Sequence, residues 1–235
     1  MAEYKRSFYI NRYNKTKHAT DRILDIVFEK FSINSVVDVG CGVGSWLKAS
    51  ENKGIENLVG LEGEWIDPSL FVSSGDLIKH NFELPIRLDN RFDLAISLEV
   101  AEHISEENAS RFVEDLTLLS DIVLFSAAVP GQGGNGHINE QPQSYWIKKF
   151  GQNDYECLDI VRKVIWNDKD IDFWYKQNIF IFRKCSPQSE PVEPLLPSYD
   201  IIHPELFKIY SSPGVVLRIK NMLGLPVAIF RKILK

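Results

Sequence analysis

Four ionisable side chains in the middle of the chain can do chemistry together. Glu99, Glu102 and His103 stand at positions i, i+3 and i+4, so a helical turn would place all three on one face. His137 lies in a later loop, after the next predicted strand, from which it can approach them. Two carboxylates and two imidazoles form a ligand set that suits Mg²⁺, Mn²⁺ or Zn²⁺. These four residues are therefore our candidate metal ligands.

A second chemistry is open to the same imidazoles, because a neutral histidine can take a proton from a reacting hydroxyl. Without a metal, we predict that His137 or His103 is a general base, and Glu140 joins the catalytic candidates. The loop at residues 130–141 contains four glycines, a composition that forms no stable helix or strand by itself. We interpret it either as a flexible acceptor-binding loop or as a long connection without a site, and the polar residues after the glycines favour the first.

A glycine-rich turn is the other feature with chemical potential. Residues 35–47 read S-V-V-D-V-G-C-G-V-G-S-W-L, which predicts a strand, a sharp turn and the start of a helix with outward-pointing N–H groups. Asp38 precedes the turn at the carboxyl end of the strand, where open α/β sheets bind ligands. This acid suits a cationic ligand better than a pyrophosphate. The glycine spacing is tighter than the dinucleotide fingerprint G-x-G-x-x-G, which disfavours an NAD-dependent oxidoreductase.

The elements that must position these residues alternate along the chain between β-branched runs and amphipathic stretches. This alternation predicts an α/β fold with a doubly wound, mostly parallel sheet of about seven strands, the last one antiparallel. Thr20 is the predicted N-cap of the helix before the first strand, and Ser105 is that of the helix after the fourth. The predicted strands are residues 35–39, 57–62, 71–77, 92–98, 121–129, 155–166 and 178–183.

Two of these strands also end near acidic residues. Glu62 ends the second strand about twenty residues after the glycine turn, where an acid can accept hydrogen bonds from ribose hydroxyls. Gly60 and Gly63 beside it leave room for a ligand. The predicted third strand delivers Asp76, for which a helix or turn cap is the alternative interpretation.

The composition bears on partners and compartment. The chain has 235 residues and a net charge of −5, which disfavours a broad nucleic-acid-binding surface. Cys41, Cys157 and Cys185 are widely spaced, so we expect free thiols in a reducing compartment. The N-terminal residues lack an apolar signal segment, and no apolar run reaches the length of a membrane span. We therefore expect a cytoplasmic protein.

Four segments are predicted: an arm at residues 1–18, an α/β domain at 19–184, a proline-rich linker at 185–198 and a basic amphipathic tail at 199–235. The arm is either a partly ordered extension or a lid over the ligand pocket. Residues 214–235 carry five basic residues and no acid, which fits the inner face of a membrane or a protein partner. Packing on its own domain, or on a second copy in a homodimer, is the alternative.

From about residue 8 to residue 183 the chain resembles the class I methyltransferases that use S-adenosylmethionine (SAM), and within them a bacterial family often met among polysaccharide and glycan biosynthesis genes. The resemblance rests on VVDVGCGVGSWL, SLEVAEHI, AAVPGQGGNGHINEQ and DFWYKQN. It implies a Rossmann-like fold, SAM as the cofactor and methyl transfer. The chain departs from the family at Glu62, where Asp is more frequent, and at residues 142–146, P-Q-S-Y-W, where a Trp usually follows the Gln.

The resemblance also implies roles for single residues. In class I methyltransferases an acid at the position of Asp76 usually hydrogen-bonds the adenine amino group, and the next residue, here Leu77, lies on the ring. A segment before the core often covers the cofactor. The implied cofactor-binding residues are Asp38, Gly40, Gly42, Gly44, Glu62, Asp76, Leu77 and Ser97.

These observations together predict a SAM-dependent methyltransferase that O-methylates a sugar or another polar small-molecule or glycan acceptor, with Tyr175 and Gln177 as candidate sugar contacts. Two alternatives stay open. The run E-x-x-E-H with a later His is similar to that of metal-dependent small-RNA 2′-O-methyltransferases, although the spacing to His137 differs, and the acidic charge balance disfavours an RNA acceptor. The other alternative is a non-catalytic module that docks a glycosyltransferase through the basic tail.

Overall fold

Helices and strands alternate through residues 6–186 and 199–211, which a computed structural model describes. In chain order the elements are α1 (Arg6–Lys30), β1 (Ser35–Val39), α2 (Ser45–Asn52), β2 (Asn57–Glu62), β3 (Asp76–Lys79), β4 (Leu94–Leu98), α3 (Ala109–Leu119), β5 (Ile122–Ser126), α4 (Gln143–Gly151), β6 (Tyr155–Leu158), α5 (Val161–Ile165), α6 (Phe173–Asn178), β7 (Phe180–Lys184) and α7 (Pro204–Ser211). The chain divides into two compact units, at residues 1–201 and 202–235, and α7 belongs to the second.

The seven strands form one sheet in the order β3-β2-β1-β4-β5-β7-β6. Neighbouring strands are parallel except at β7, which runs antiparallel to both β5 and β6. The predicted doubly wound, mostly parallel sheet with an antiparallel last strand is therefore confirmed. The strand order reverses between β1 and β4, which are hydrogen-bonded neighbours at the centre. Open α/β sheets bind ligands at such a point, beyond the carboxyl ends of the strands.

Both faces of the sheet are covered, which explains why β1 is so rich in valine. Val37 belongs to a core cluster with Phe112 of α3, and Val36 belongs to a separate cluster with Leu24 of α1. All four side chains are fully buried. Because side chains alternate along a strand, β1 packs against both helical layers, and this packing fixes the position of its carboxyl end.

The predicted third strand, residues 71–77, is wrong in position. Pairing with β2 starts only at Asp76, opposite Val59. Just before it, Gly75 passes so close to β2 that a Cβ there would lie 2.5 Å from the carbonyl oxygen of Leu58. The chain therefore joins the sheet at Asp76, and residues 71–75 lie outside β3.

The predicted helix start at Thr20 is also wrong, because α1 is continuous from Arg6 to Lys30. The Thr20 hydroxyl donates to the carbonyl of Lys17 at 2.8 Å, so it bonds within the helix and caps no helix end. The boundary drawn after residue 18 falls inside this helix. The proposed covering role of the arm stays a prediction.

Two further elements differ from their predictions. Residues 155–166 hold β6 followed by helix α5, because the turn between them is closed by an ion pair of Asp159 with the buried Arg162 at 2.6 Å. Ser105 makes no side-chain capping bond. Its hydroxyl donates instead to the carboxylate of Glu83 at 2.9 Å, and a 3₁₀ turn precedes α3.

Of the predicted linker at residues 185–198, all but the first two residues lie outside the described residues, and so does the basic part, residues 214–235, of the tail predicted at 199–235. Within the part of the chain that the structure does describe, no helix is both long enough and apolar enough to cross a membrane. Roles of the tail at a membrane surface or with a protein partner, and the homodimer, stay predictions.

Candidate active site

A cavity of about 620 Å³ lies within the first unit, beyond the carboxyl ends of the central strands. Its walls include residues at or after the ends of four strands, β1 to β4: Asp38, Glu62, Asn81 and Glu99. His103, from the turn after β4, also lines it. The volume falls within the range of ligand-binding clefts, about 300–1,000 Å³.

The glycine turn between β1 and α2 forms one wall. Gly40, Gly42 and Gly44 have φ angles of +83°, +56° and +82°, a left-handed conformation that glycine adopts without strain. A Cβ on Gly40 would collide with Val100, and one on Gly44 would lie 2.6 Å from the ring of Phe71. A Cβ on Gly42 would meet no described atom within 4 Å. Protein packing thus requires Gly40 and Gly44, whereas Gly42 keeps part of the cavity open for a ligand.

Two buried carboxylates lie beside this turn. The oxygens of Glu62 accept hydrogen bonds from the N–H groups of Gly42 (2.6 Å) and Gly63 (2.7 Å). Asp38 is 2% exposed, and its Oδ2 has no hydrogen-bond partner among the described residues. Burial raises the pKa of Asp38 well above its usual value, and the charge of Glu62 adds to the rise. Burial also raises the pKa of Glu62, although its two N–H donors oppose the change. This wall therefore favours a positively charged ligand.

The structure does not bring Asp76 and Leu77 to the cavity wall. Asp76 is exposed at the first position of β3, and Leu77 packs against the apolar core. The cavity lies beyond the other end of the strand, where Asn81 and Phe82 line it. Sequence reasoning missed these two residues because it placed the strand too early. Gly75 was the available signal, because a glycine inside a predicted strand weakens that prediction.

Ser97 and Gln177 are also placed away from the cavity wall, and both are fully buried. Ser97 lies within β4, and the residues that follow it reach the cavity instead. Tyr175 does line the cavity, where its ring lies edge-on to that of Trp46 with the centroids 5.6 Å apart. Of the two candidate sugar contacts, only the tyrosine is in a position to meet a ligand.

Three of the four candidate metal ligands come together beside the cavity. Ligand atoms of Glu102, His103 and His137 all lie within 4.8 Å of one another. Nε2 of His137 is 3.8 Å from Oε1 of Glu102, and the two imidazole rings lie edge to face with centroids 4.9 Å apart. The N–H of Ile138 donates to the backbone carbonyl of Glu102 at 2.9 Å, which brings His137 alongside. Nδ1 of His103 is 3.1 Å from the carbonyl oxygen of Gly136.

Glu102 is the buried member of this cluster. Its side chain is 1% exposed, and neither carboxylate oxygen has a hydrogen-bond partner among the described residues. Burial raises the pKa of Glu102 well above its usual value and the nearby charge of Glu99 adds to the rise, whereas contacts with the backbone N–H groups of Glu102 and Ala128, too poor in geometry to count as hydrogen bonds, oppose it. Buried carboxylates are normally paired, hydrogen-bonded or bound to a metal, so this one is suited to a cation.

The glycine loop is closed by Glu140. Its carboxylate lies 2.8 Å from Nδ1 of His137 and accepts the N–H groups of Gly131 (2.7 Å) and Gly133 (2.8 Å). Burial alone would raise the pKa of Glu140, but these hydrogen bonds outweigh it, and the pKa lies below its usual value. An ionised carboxylate can only accept, so Nδ1 of His137 carries the proton and Nε2 is the basic nitrogen.

Glu99 does not join the cluster, so the prediction of one helical face is wrong. Its backbone has a φ of +57°, and the chain then forms a 3₁₀ turn at Ala101–His103 in place of a longer helix. The Glu99 carboxylate accepts hydrogen bonds from the side chains of Gln132 (2.7 Å) and Asn178 (3.1 Å). These two partners hold it against the glycine loop and the end of α6.

Part of the chain matches a known family model. Residues 9–118 match a family model described as a methyltransferase domain. A search of the curated proteins finds no match to this sequence.

Solved methyltransferases share the fold. The sugar N-methyltransferase KedS8 from Streptoalloteichus sp ATCC 53650 is 12% identical with a TM-score of 0.57, over 79% of this chain and 94% of that chain. Magnesium protoporphyrin IX methyltransferase (ChlM) from Synechocystis PCC 6803 with bound SAH is 16% identical with a TM-score of 0.53, over 73% and 84%. SAM-bound CalS10, an amino pentose methyltransferase from Micromonospora echinaspora, is 11% identical with a TM-score of 0.53, over 79% and 99%.

The glycines of the turn should differ in how much an alanine substitution lowers the free energy of unfolding. Gly40→Ala should lower the free energy of unfolding by about 3 kcal/mol, because left-handed strain adds to overpacking against Val100. Gly42→Ala should cost only about 1 kcal/mol, because the strain stands alone. Urea unfolding of both variants and of the wild type measures the difference. Equal losses would contradict the packing described for this turn.

Proposed function

We propose that this chain, whose domain and fold are those of a SAM-dependent methyltransferase, transfers the methyl group of SAM to a hydroxyl of a sugar or a similarly polar small acceptor. One observation carries the proposal: a single cavity is lined at one place by the acid-flanked glycine turn and at another by the histidine of the Glu102 cluster. Bound SAM supplies a methyl carbon that is strongly activated by its positively charged sulfur.

The glycine turn fits SAM by charge and by shape. The unpartnered Oδ2 of Asp38 offers a buried negative group to a cation. Gly42 leaves space because it has no side chain. The oxygens of Glu62 already accept two N–H groups, but each carboxylate oxygen has a second lone pair that can accept a ribose hydroxyl. ChlM with bound SAH and SAM-bound CalS10 are solved examples of related folds that hold such ligands.

We assign the adenine contacts to Asn81 and Phe82 in place of the predicted Asp76 and Leu77. Both assigned residues line the cavity just after β3. The side-chain amide of an asparagine has donors and an acceptor for the edge of an adenine, and a phenyl ring can cover its face.

The histidine cluster suits the removal of a proton from a hydroxyl. The protein's main contribution to methyl transfer is alignment of the acceptor with the methyl carbon, and a hydroxyl must also lose its proton. Nδ1 of His103 contacts a backbone carbonyl, which can only accept, so Nε2 is its basic nitrogen. Glu140 orients His137 in the same way. Either imidazole has a basic nitrogen for the proton, with Glu140 as the positioning residue for His137. Of the two, His103 lines the cavity, and the ring of His137 lies beside it with the centroids 4.9 Å apart.

A sugar is the acceptor class with the most support. KedS8 is a sugar N-methyltransferase and CalS10 an amino pentose methyltransferase, and both share this fold. The cavity combines the aromatic ring of Tyr175 with polar side chains such as Thr16 and Asn135, a mixture suited to the ring faces and hydroxyls of a sugar. Thr16 belongs to α1, so the N-terminal segment reaches the cavity, which supports the covering role proposed for it.

Calorimetric titration with SAM should show one binding site in the wild-type protein. Gly42→Asp should weaken binding by about 100-fold or more, because the side chain enters the space that glycine leaves open. Gly54→Asp is the matched control, since Gly54 also has a left-handed φ of +91° and open space around it but lies outside the cavity wall. Absence of heat at millimolar SAM, or equal loss in both variants, would contradict the proposed cofactor site.

The same titration separates the two assignments of the adenine contact. Asn81→Ala should weaken SAM binding about 10-fold, which corresponds to one lost hydrogen bond. Asp76→Ala should leave the affinity unchanged, because Asp76 is exposed at the far end of β3. The opposite pattern would return the adenine contact to Asp76.

Incubation with isotopically labelled SAM, a sugar panel and cell glycan fractions, followed by mass analysis, should find the methyl group on a sugar oxygen. His103→Ala should lower turnover about 100-fold with SAM affinity retained, because it removes the imidazole of the cluster that lines the cavity. His18→Ala, at an exposed position on α1, is the control. Single-stranded RNA is included as a competing acceptor, and label on RNA instead of sugar would contradict the proposed acceptor class.

A further inference from the structure

We propose that Glu102, His103 and His137 bind one transition-metal dication of the kind represented by Zn²⁺. Binding of the ion depends on these three residues and their neighbours alone, whereas its part in the reaction rests on the proposed function.

Glu102 provides the first argument. Its backbone carbonyl accepts two N–H groups, from Ile138 (2.9 Å) and Asn139 (3.0 Å), whereas both side-chain oxygens are buried without a hydrogen-bond partner among the described residues. An ionised carboxylate in this state is costly, and buried charges in proteins are paired or coordinate metals. A cation between Glu102 and the two histidines would supply the missing partner.

The spacing of the ligand atoms is the second argument. The 3.8 Å from Nε2 of His137 to Oε1 of Glu102 is too long for a hydrogen bond. Two ligands that lie about 2.1 Å from a tetrahedral Zn²⁺ are roughly 3.4 Å apart. The observed separation is close to that value, and the ligand atoms of all three residues lie within 4.8 Å of one another. A small inward movement of the side chains would place them around one ion.

The outer nitrogens of both histidines are held as they are in metal sites. A ligating histidine usually donates its other N–H to a carboxylate or a backbone carbonyl, which fixes the ring and the tautomer. Nδ1 of His137 donates to Glu140 at 2.8 Å, and Nδ1 of His103 contacts the carbonyl of Gly136 at 3.1 Å. In both rings Nε2 is therefore the nitrogen with the lone pair that a metal needs.

The chemistry of the three ligand side chains indicates which class of metal would bind and what it would do. Two imidazoles and one carboxylate match the open catalytic zinc sites, in which three protein ligands leave one position for water or substrate. Mg²⁺ prefers oxygen ligands and fits less well. Because His103 lines the cavity, the remaining position is within reach of an acceptor oxygen. A metal there would lower the pKa of a bound hydroxyl. With the ion bound, the two imidazoles would serve as its ligands in place of a general base, and the ion would promote the loss of the proton.

The test uses the full chain without SAM or acceptor. Protein purified without chelator is analysed for metal, stripped and titrated with Zn²⁺, and wild type should bind one ion per chain. His103→Ala and Glu102→Gln should each weaken binding about 100-fold or more, and Glu140→Gln about 10-fold to 100-fold. His18→Ala is the matched control, because His18, Asp168 and Asp170 form the other described group that could hold a metal, an exposed one. Co²⁺ serves as a spectroscopic probe of imidazole ligation.

No binding of Zn²⁺ or Co²⁺ by wild type would overturn the proposal. Zn²⁺ binding by His103→Ala with wild-type affinity would also overturn it. So would loss of Zn²⁺ binding in His18→Ala alone, because the ion would then lie in the exposed group around His18. His103 is exposed, so its alanine variant remains informative even if Glu102→Gln fails to fold. A protein that binds Zn²⁺ in the expected pattern but methylates no sugar would contradict the proposed function and leave the metal site standing.

Discussion

The burial of carboxylates at one edge of a parallel sheet is the constraint on which the rest of the site depends. Asp38, Glu62 and Glu102 are all buried there. A buried charge left without its partner costs about 3–5 kcal/mol. Glu62 has two backbone N–H partners, whereas Asp38 and Glu102 keep oxygens without a hydrogen-bond partner among the described residues. Asp38 lines the cavity and Glu102 lies beside it, and each is suited to a positive charge. We propose a sulfonium cofactor at the first and a metal ion at the second.

The topology of the sheet brings the two places to one cavity. The strands β1, β2 and β4 are parallel neighbours, so the residues after them emerge at the same edge. Helices cover both faces of the sheet, which leaves this edge as the open side. The glycine turn follows β1 and the Glu102 cluster follows β4, so reversal of the strand order at the centre is what makes them neighbours. A cofactor and an acceptor can therefore meet although their binding residues lie far apart in sequence.

The local sequence was sufficient to predict those elements whose conformation depends on neighbouring residues only. The valines and the spaced glycines predict β1, the turn and the start of α2 at the observed residues, since a left-handed turn admits few residue types. The position of the third strand and the grouping of the acidic side chains depend on contacts between residues far apart in sequence, which local sequence does not reveal. The packing of Gly75 against Leu58 displaced the third strand, so Asn81 and Phe82 line the cavity and the predicted Asp76 and Leu77 do not. The helical spacing that grouped Glu99 with the other candidate metal ligands failed because its backbone is left-handed and its carboxylate bonds to Gln132 and Asn178.

A crystal structure of the protein grown with SAM is the most direct test of the central claim, that buried acids around the glycine turn hold a positively charged sulfur compound. The account predicts SAM along Gly42, with its cationic part towards Asp38 and its base beside Asn81. An empty cavity, a cavity filled by the protein's own side chains, or a ligand base beside Asp76 would contradict it.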